Sequence, residues 1–229
     1  MSAFALIAIA ALVTIPLVAY LSYRAKQQRI QAFAAMANQL GLTFAVHDPF
    51  GTLGEPFKLF ERGDGRGVEN VMSGSWQGRE VRAFDYWFYE EHTDAKGHTS
   101  RSYYRFDCAL MRIEAACSPI TIEPENLLTR LADHLAMHDI EFESESFNEA
   151  FNVKSPDHKF ANDLIDARMM DWLLRHGEGF SFEIVGDRFL CFCRRIDPEA
   201  FVTLLGTAKG FHDQVPSVVA SLYPLNRSR

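Results

Sequence analysis

Val81-Arg-Ala-Phe-Asp-Tyr-Trp-Phe-Tyr89 reads as a β-strand, because aromatic residues dominate it and no glycine or proline interrupts it. Side chains alternate across a strand. One face therefore carries Val81, Ala83, Asp85, Trp87 and Tyr89, and the other Arg82, Phe84, Tyr86 and Phe88. Both faces are largely apolar, so both are expected to be covered, one of them by helices. Upstream, Phe57–Glu61 and Val68–Trp76 are strand-like, with the glycine-rich Arg62-Gly-Asp-Gly-Arg-Gly67 read as a reversal between them. Gln77-Gly78 turns the chain into the aromatic strand. The polar stretch Glu90–Ser100 is read as a loop leading to a further strand, Arg101–Ile113. Together these make an antiparallel meander.

Downstream the pattern changes. Glu123-Pro-Glu opens an expected helix over 123–139, with Leu127, Leu128, Leu131 and Leu135 as its buried stripe. Ile140-Glu-Phe-Glu-Ser alternates as a half-buried strand, followed by Phe147–Val153. Ser155-Pro-Asp starts a short helix, and Asp166 caps a second one that Gly177 ends. Phe180–Val185 and Phe189–Arg195 flank Gly186-Asp187 and are read as a hairpin. Pro198 opens a last helix carrying Phe201, Leu204, Leu205, Ala208 and Phe211. Residues 226–229 read as a frayed end. Strands and helices come in blocks, so the predicted class is α+β with a mainly antiparallel sheet and packed helices, in one domain over 42–225.

An N-terminal segment stands apart. From Ala3 to Leu21 every residue is apolar except Thr14. These nineteen residues span roughly 28 Å as a helix, close to a bilayer's hydrocarbon thickness. Residues 1–23 are therefore expected to form a transmembrane anchor, with Ala3, Phe4, Leu6, Ile7, Leu12, Val13, Ile15, Pro16, Leu17, Val18 and Leu21 facing lipid. A cleaved signal peptide is the rival reading, but Met-Ser-Ala-Phe offers no basic n-region. Arg24, Lys26 and Arg29 follow the run directly, and the first acidic residue is Asp48. The positive-inside rule then puts the N-terminus outside and the domain at the cytoplasmic face of the cell's inner membrane, as a single-pass protein. Residues 24–41 read as a juxtamembrane helix. Ile30, Phe33, Ala37 and Leu40 form its apolar stripe, opposite Lys26, Gln28, Arg29 and Gln31.

Composition bounds function. The net charge is −7, and no charged side chain precedes Arg24, so the acidic excess belongs to the domain. That argues against nucleic-acid binding, which needs cations to neutralise phosphates. Cys108, Cys117, Cys191 and Cys193 are too few and too strand-like for a disulfide framework, and read as reduced, buried residues.

Three segments together, Asn70-Val-Met-Ser-Gly74 with Trp76-Gln-Gly78 and Phe84-Asp-Tyr86, Asp139–Asn148, and Phe151–Asp157 leading to Met169-Met-Asp-Trp-Leu173, resemble an uncharacterised group of bacterial single-pass membrane proteins of unknown function. The resemblance implies a bacterial inner-membrane setting and supplies no reaction or cofactor.

No catalytic signature stands out. His134 and His138 have the spacing of two ligands on a helix, but the glutamate of the zinc-protease motif is missing. No cofactor or metal is expected. Glu141, Glu143 and Glu145 would line one strand face, either solvated or as a docking surface for a basic protein partner. The aromatic run Tyr86–Tyr89 could alternatively form a ligand slot. The sequence thus predicts a non-enzymatic binding or scaffolding module tethered to the lipid bilayer. A small-molecule or lipid-binding domain is the first alternative, and a membrane-tethered hydrolase built on the acidic strand is the second.

Overall fold

The computed structural model describes residues 3–125 and 138–225, with the side chains of residues 3–11, Val13 and His138 left outside the description. Among the described residues the architecture is α+β. A seven-stranded antiparallel sheet runs in the order β1-β2-β3-β4-β6-β5, and β7 lies on the other side of β4. The strands are β1 (Thr43–His47), β2 (Gly65–Trp76), β3 (Arg79–Thr93), β4 (Thr99–Pro124), β5 (His138–Asp139), β6 (Phe151–Ser155) and β7 (Phe180–Arg194). The helices are α1 (Ala3–Leu40), α2 (Glu145–Ala150), α3 (His158–Leu164), α4 (Ala167–His176), α5 (Phe201–Gln214) and α6 (Ser217–Leu222).

The expected meander is β2-β3-β4, and both faces of β3 are covered as its composition requires. Val81 and Ala83 join a core beneath the helices that includes Phe33 of α1, Phe160 of α3, Leu173 of α4 and Phe211 of α5. Phe84, Tyr86 and Phe88 face the opposite way, into a second core with Phe57, Leu59 and Phe60. Strand β4 organises the sheet. Its first half pairs with β3 and its last residues with β6, while β7 runs along its other edge.

Several expectations need correcting. Phe57–Glu61 is not a strand: Lys58–Glu61 form a 3-10 turn, whose first amides donate to the buried Glu183 carboxylate. Gly63–Gly67 is not a hairpin, since Gly65–Gly67 already belong to β2. The polar stretch 90–100 is largely strand, with only Asp94–His98 left as the loop. The segment 180–195 is one strand rather than two. Gly186, at φ 61, sits opposite Cys117 where extra residues of β4 shift the β4–β7 register, so it continues the strand facing a bulge and is not a turn. Glu123 and Pro124 continue β4 rather than opening a helix. Residues 126–137 of that expected helix, including His134, lie outside the described residues, and its last two residues, His138 and Asp139, form strand β5 instead. Phe147 belongs to α2, not to a strand.

The anchor and the juxtamembrane helix form one continuous α1 of 38 residues. Pro16 lies inside it without ending it. Its C-terminal half is core: Phe33 and Ala37 are buried, and the Phe33 ring meets Phe201 edge-on at 4.8 Å. Arg29, expected on the solvent side, is buried as well. Its N-terminal half projects from the domain. Leu12 is 78% exposed, Ile15 69% and Val18 61%, and Leu17 and Leu21 are likewise exposed. Among the described residues no helix is long and apolar enough to cross a membrane. The spanning anchor therefore finds no support there, and Ala3, Phe4, Leu6, Ile7 and Val13 have side chains outside the described residues.

Candidate functional site

Where α1 leaves the domain, a cleft of about 590 Å³ opens between the helix and the sheet. Its helical wall is Ser22, Ala25, Lys26 and Arg29, one stripe at i, i+3, i+4 and i+7. Its sheet wall comes from β2, β3 and β4, with Glu69, Asn70, Asp85, Trp87, Tyr103 and Arg105; Arg195, just past β7, completes the rim.

The floor is a buried ionic network. Asp85 and Asp107 face each other across β3 and β4 and share the helix-facing side of the sheet. Arg29 lies between them. Its Nε and Nη2 donate to the two oxygens of Asp85 at 2.7 Å each, Nη2 also donates to Asp107 at 2.8 Å, and Nη1 donates to the Ile196 carbonyl at 2.8 Å. The guanidinium also stacks on the Phe33 ring at 4.8 Å. Burial disfavours the charged guanidinium, but the carboxylates outweigh it and raise its proton affinity. Burial, reinforced by the charge of Asp85, pushes Asp107 up to about 7 against the pull of Arg29.

Asn70 sits in a left-handed conformation, φ 54, at a bulge where the β2–β3 register shifts between Glu69 and Met72. Its Nδ2 donates to Asp85 at 2.9 Å, which fixes the amide's orientation. Its Oδ1 is buried and accepts no hydrogen bond among the described residues. At the rim, Lys26 pairs with Glu69 at 2.9 Å. Arg105 lies over the Tyr103 ring at 5.4 Å, and no carboxylate is within ion-pair distance of it among the described residues. Arg195 reaches Asp85 only at 3.7 Å, and burial followed by the charge of Arg29 lowers its proton affinity.

The glycine-rich segment has its use here. A Cβ on Gly67 would lie 2.6 Å from the Trp87 ring, and one on Gly65 would lie 2.4 Å from the Tyr89 ring. Hydrogen in place of a side chain lets both rings lie flat on β2. Trp87, Tyr89 and Tyr103 then form a half-exposed aromatic wall, with Trp87 and Tyr89 stacked at 6.4 Å and the Tyr103 ring tilted against Tyr89 at 5.4 Å.

The residues singled out in the sequence are placed as follows. The aromatic run splits by strand alternation: Tyr86 and Phe88 are core, while Trp87 and Tyr89 face the cleft side. Glu141, Glu143 and Glu145 are exposed but share no strand face. Glu141 and Glu143 lie in an extended loop whose Ile140 and Phe142 turn inward, and Glu145 begins α2 behind its Ser144 cap. His138 is in β5. Among the described residues no group of three or more His, Cys, Asp or Glu is placed to hold a metal. All four cysteines are free and buried. Sequence reasoning missed Arg29, Asp107 and Asn70. The available signal was a single aspartate inside each of two apolar strand runs, because a buried acid demands a partner.

No protein-family model and no curated protein matches the chain. The crystal structure of the mycobacterial trehalose monomycolate transport factor A, TtfA, superposes with a TM-score of 0.60 at 13% identity, covering 82% of this chain and 96% of that one. The two share a fold. At that identity the likeness shows the fold alone.

Proposed function

We propose that this protein is a membrane-tethered, non-enzymatic binding module whose N-terminal helix enters the bilayer while its domain holds a ligand or partner at the membrane face. The observation that carries the reading is the division of α1. Its second half is locked into the core by Arg29 and Phe33, and the described side chains before Ser22 are exposed and, Thr14 apart, apolar, with Leu12, Ile15, Leu17 and Val18 uncovered. A helix this exposed and apolar needs lipid or protein around it. Because α1 is continuous, the domain is held at a defined height and orientation rather than on a flexible linker.

Arg24 and Lys26 at the border favour a cytoplasmic domain, as does the absence of disulfides among the four cysteines. The role TtfA carries in its name, a transport factor, suits an accessory of this kind. A protein partner with a basic face would be sought at the exposed Glu141, Glu143 and Glu145.

Fractionation of cells expressing the full chain tests the tether. The protein is expected to stay with the membrane after alkaline carbonate washing, and a variant with Leu12, Ile15 and Val18 changed to Asp is expected to leave it. Release of the unaltered chain by carbonate would refute the proposal. Photo-crosslinking from the three glutamate positions should give one recurrent adduct, and its absence would remove the partner face.

A further inference from the structure

The cleft under α1 contains features that the ionic network does not need for itself. Asn70 Oδ1 is an acceptor buried without a donor among the described residues, although the residue is only 3% exposed and its Nδ2 is already committed to Asp85. Buried polar atoms are ordinarily paired, so an unpaired acceptor lining a cavity points to a donor that arrives with a ligand. At the mouth, Arg105 of β4 and Arg195, just past the end of β7, are joined by the backbone bond from Arg195 N to Arg105 O at 3.1 Å. Both are exposed, and only Arg195 has a carboxylate nearby. The cleft and its floor carry four cations, Lys26, Arg29, Arg105 and Arg195, against three carboxylates, Glu69, Asp85 and Asp107; Lys26 and Arg29 are paired with those acids, which leaves the surplus at Arg105 and Arg195. This is a local cationic excess in a chain of net charge −7. Two arginine forks beside an open cavity suit an oxyanion such as phosphate.

We propose that this cleft binds a hydroxylated phosphate ester, with the phosphate on Arg105 and Arg195 and a hydroxyl of the ligand donating to Asn70 Oδ1. Its source is a lipid headgroup of the phosphatidylglycerol type. This assignment of source rests on the membrane reading above. The cleft's helical wall begins at Ser22, the residue after the exposed apolar run ends at Leu21. A helix embedded to Leu21 would hold the mouth within the headgroup layer. Trp87 and Tyr103 line the same mouth, and such rings favour that layer because one side is apolar and the other wet.

The test uses the full chain in detergent, titrated with dihexanoyl phosphatidylglycerol. The comparisons are dihexanoyl phosphatidylcholine, whose headgroup has a phosphate but no donor, and free glycerol 3-phosphate. The glycerol lipid is expected to bind at least about tenfold more tightly than the choline lipid, the difference of one donor to a buried acceptor plus net charge. Arg105→Gln with Arg195→Gln, both at exposed positions, should weaken it by about tenfold or more with an unchanged melting temperature. Asn70→Gly keeps the left-handed backbone and removes the Oδ1 acceptor, and should abolish the preference between the two lipids. Equal binding of the two lipids, or binding indifferent to the arginine pair, overturns the site. Glycerol 3-phosphate binding as tightly as its lipid overturns the lipid source and leaves a free phosphate ester as ligand. A chain that remains in washed membranes without discriminating between lipids refutes this site alone. One that discriminates but washes off refutes the tether alone.

Discussion

Replacing Arg29 with Met isolates the device that joins α1 to the sheet. The side chain donates four hydrogen bonds, three of them to two carboxylates that are themselves buried. Methionine has similar length and fills the space beside Phe33, so the loss is mainly electrostatic. Two carboxylates would stay in the core without their cation, and removing one partner of a buried pair costs about 3–5 kcal/mol. The penalty should depend on pH with a definite sign. Freed of Arg29, the carboxyls take up protons more readily, so the cost is smaller at pH 5 than at pH 8. A triple variant, Arg29→Met, Asp85→Asn and Asp107→Asn, removes the orphaned charges and should recover most of the loss. Urea unfolding of the full chain in mild detergent, followed by tryptophan fluorescence, reads all three. A loss below about 1 kcal/mol at pH 8, or a triple variant no more stable than the single one, would refute the account.

Further expectations concern other parts of the molecule. Gly67→Ala drives a methyl group into the Trp87 ring, and should destabilise by about 1–3 kcal/mol and shift the emission of Trp87 as it leaves its seat; an unchanged spectrum would show the ring does not lie there. Glu183, buried against the amides of Lys58 and Leu59, is held by burial at about 7 rather than 4.5. An acid raised in the folded state adds stability that is complete below about pH 4.5 and is lost as the pH rises through about 7. Relative to Glu183→Gln, the wild type should therefore lose stability between pH 5 and 8, and a gain would reverse the assignment. Burial pushes Cys117 and Cys193 up to about 12, and Cys108 and Cys191 are raised as well. None should react with a maleimide at pH 7 until the chain unfolds, and labelling of the folded chain would contradict that packing.

The meander was legible because alternation along Val81–Tyr89 carries its own periodicity, and so were the helix start at Ser155–Asp157 and the cap at Asp166; Asp157 and Asp166 each accept the amide three residues on. What the sequence concealed depends on distant partners. Gly63–Gly67 and Gly186 look like turns, yet the former makes room for rings from β3 and the latter faces a bulge of β4. Phe57–Glu61 has a strand's composition, but a carboxylate 125 residues from Lys58 caps it as a 3-10 turn. Arg29 sits among polar residues by helical periodicity. Nothing local reveals that Asp85 and Asp107, 56 and 78 residues away, will draw it inward. The cleft, assembled from α1 and three strands, was hidden for the same reason.

The central claim is that one helix serves both as core element and as lipid-embedded strut. Spin labels at Leu17→Cys and Lys26→Cys in lipid nanodiscs test it, since the native thiols are buried. Collision with oxygen should dominate at position 17 and collision with a water-soluble nickel chelate at position 26. Two equally water-accessible labels would contradict the claim.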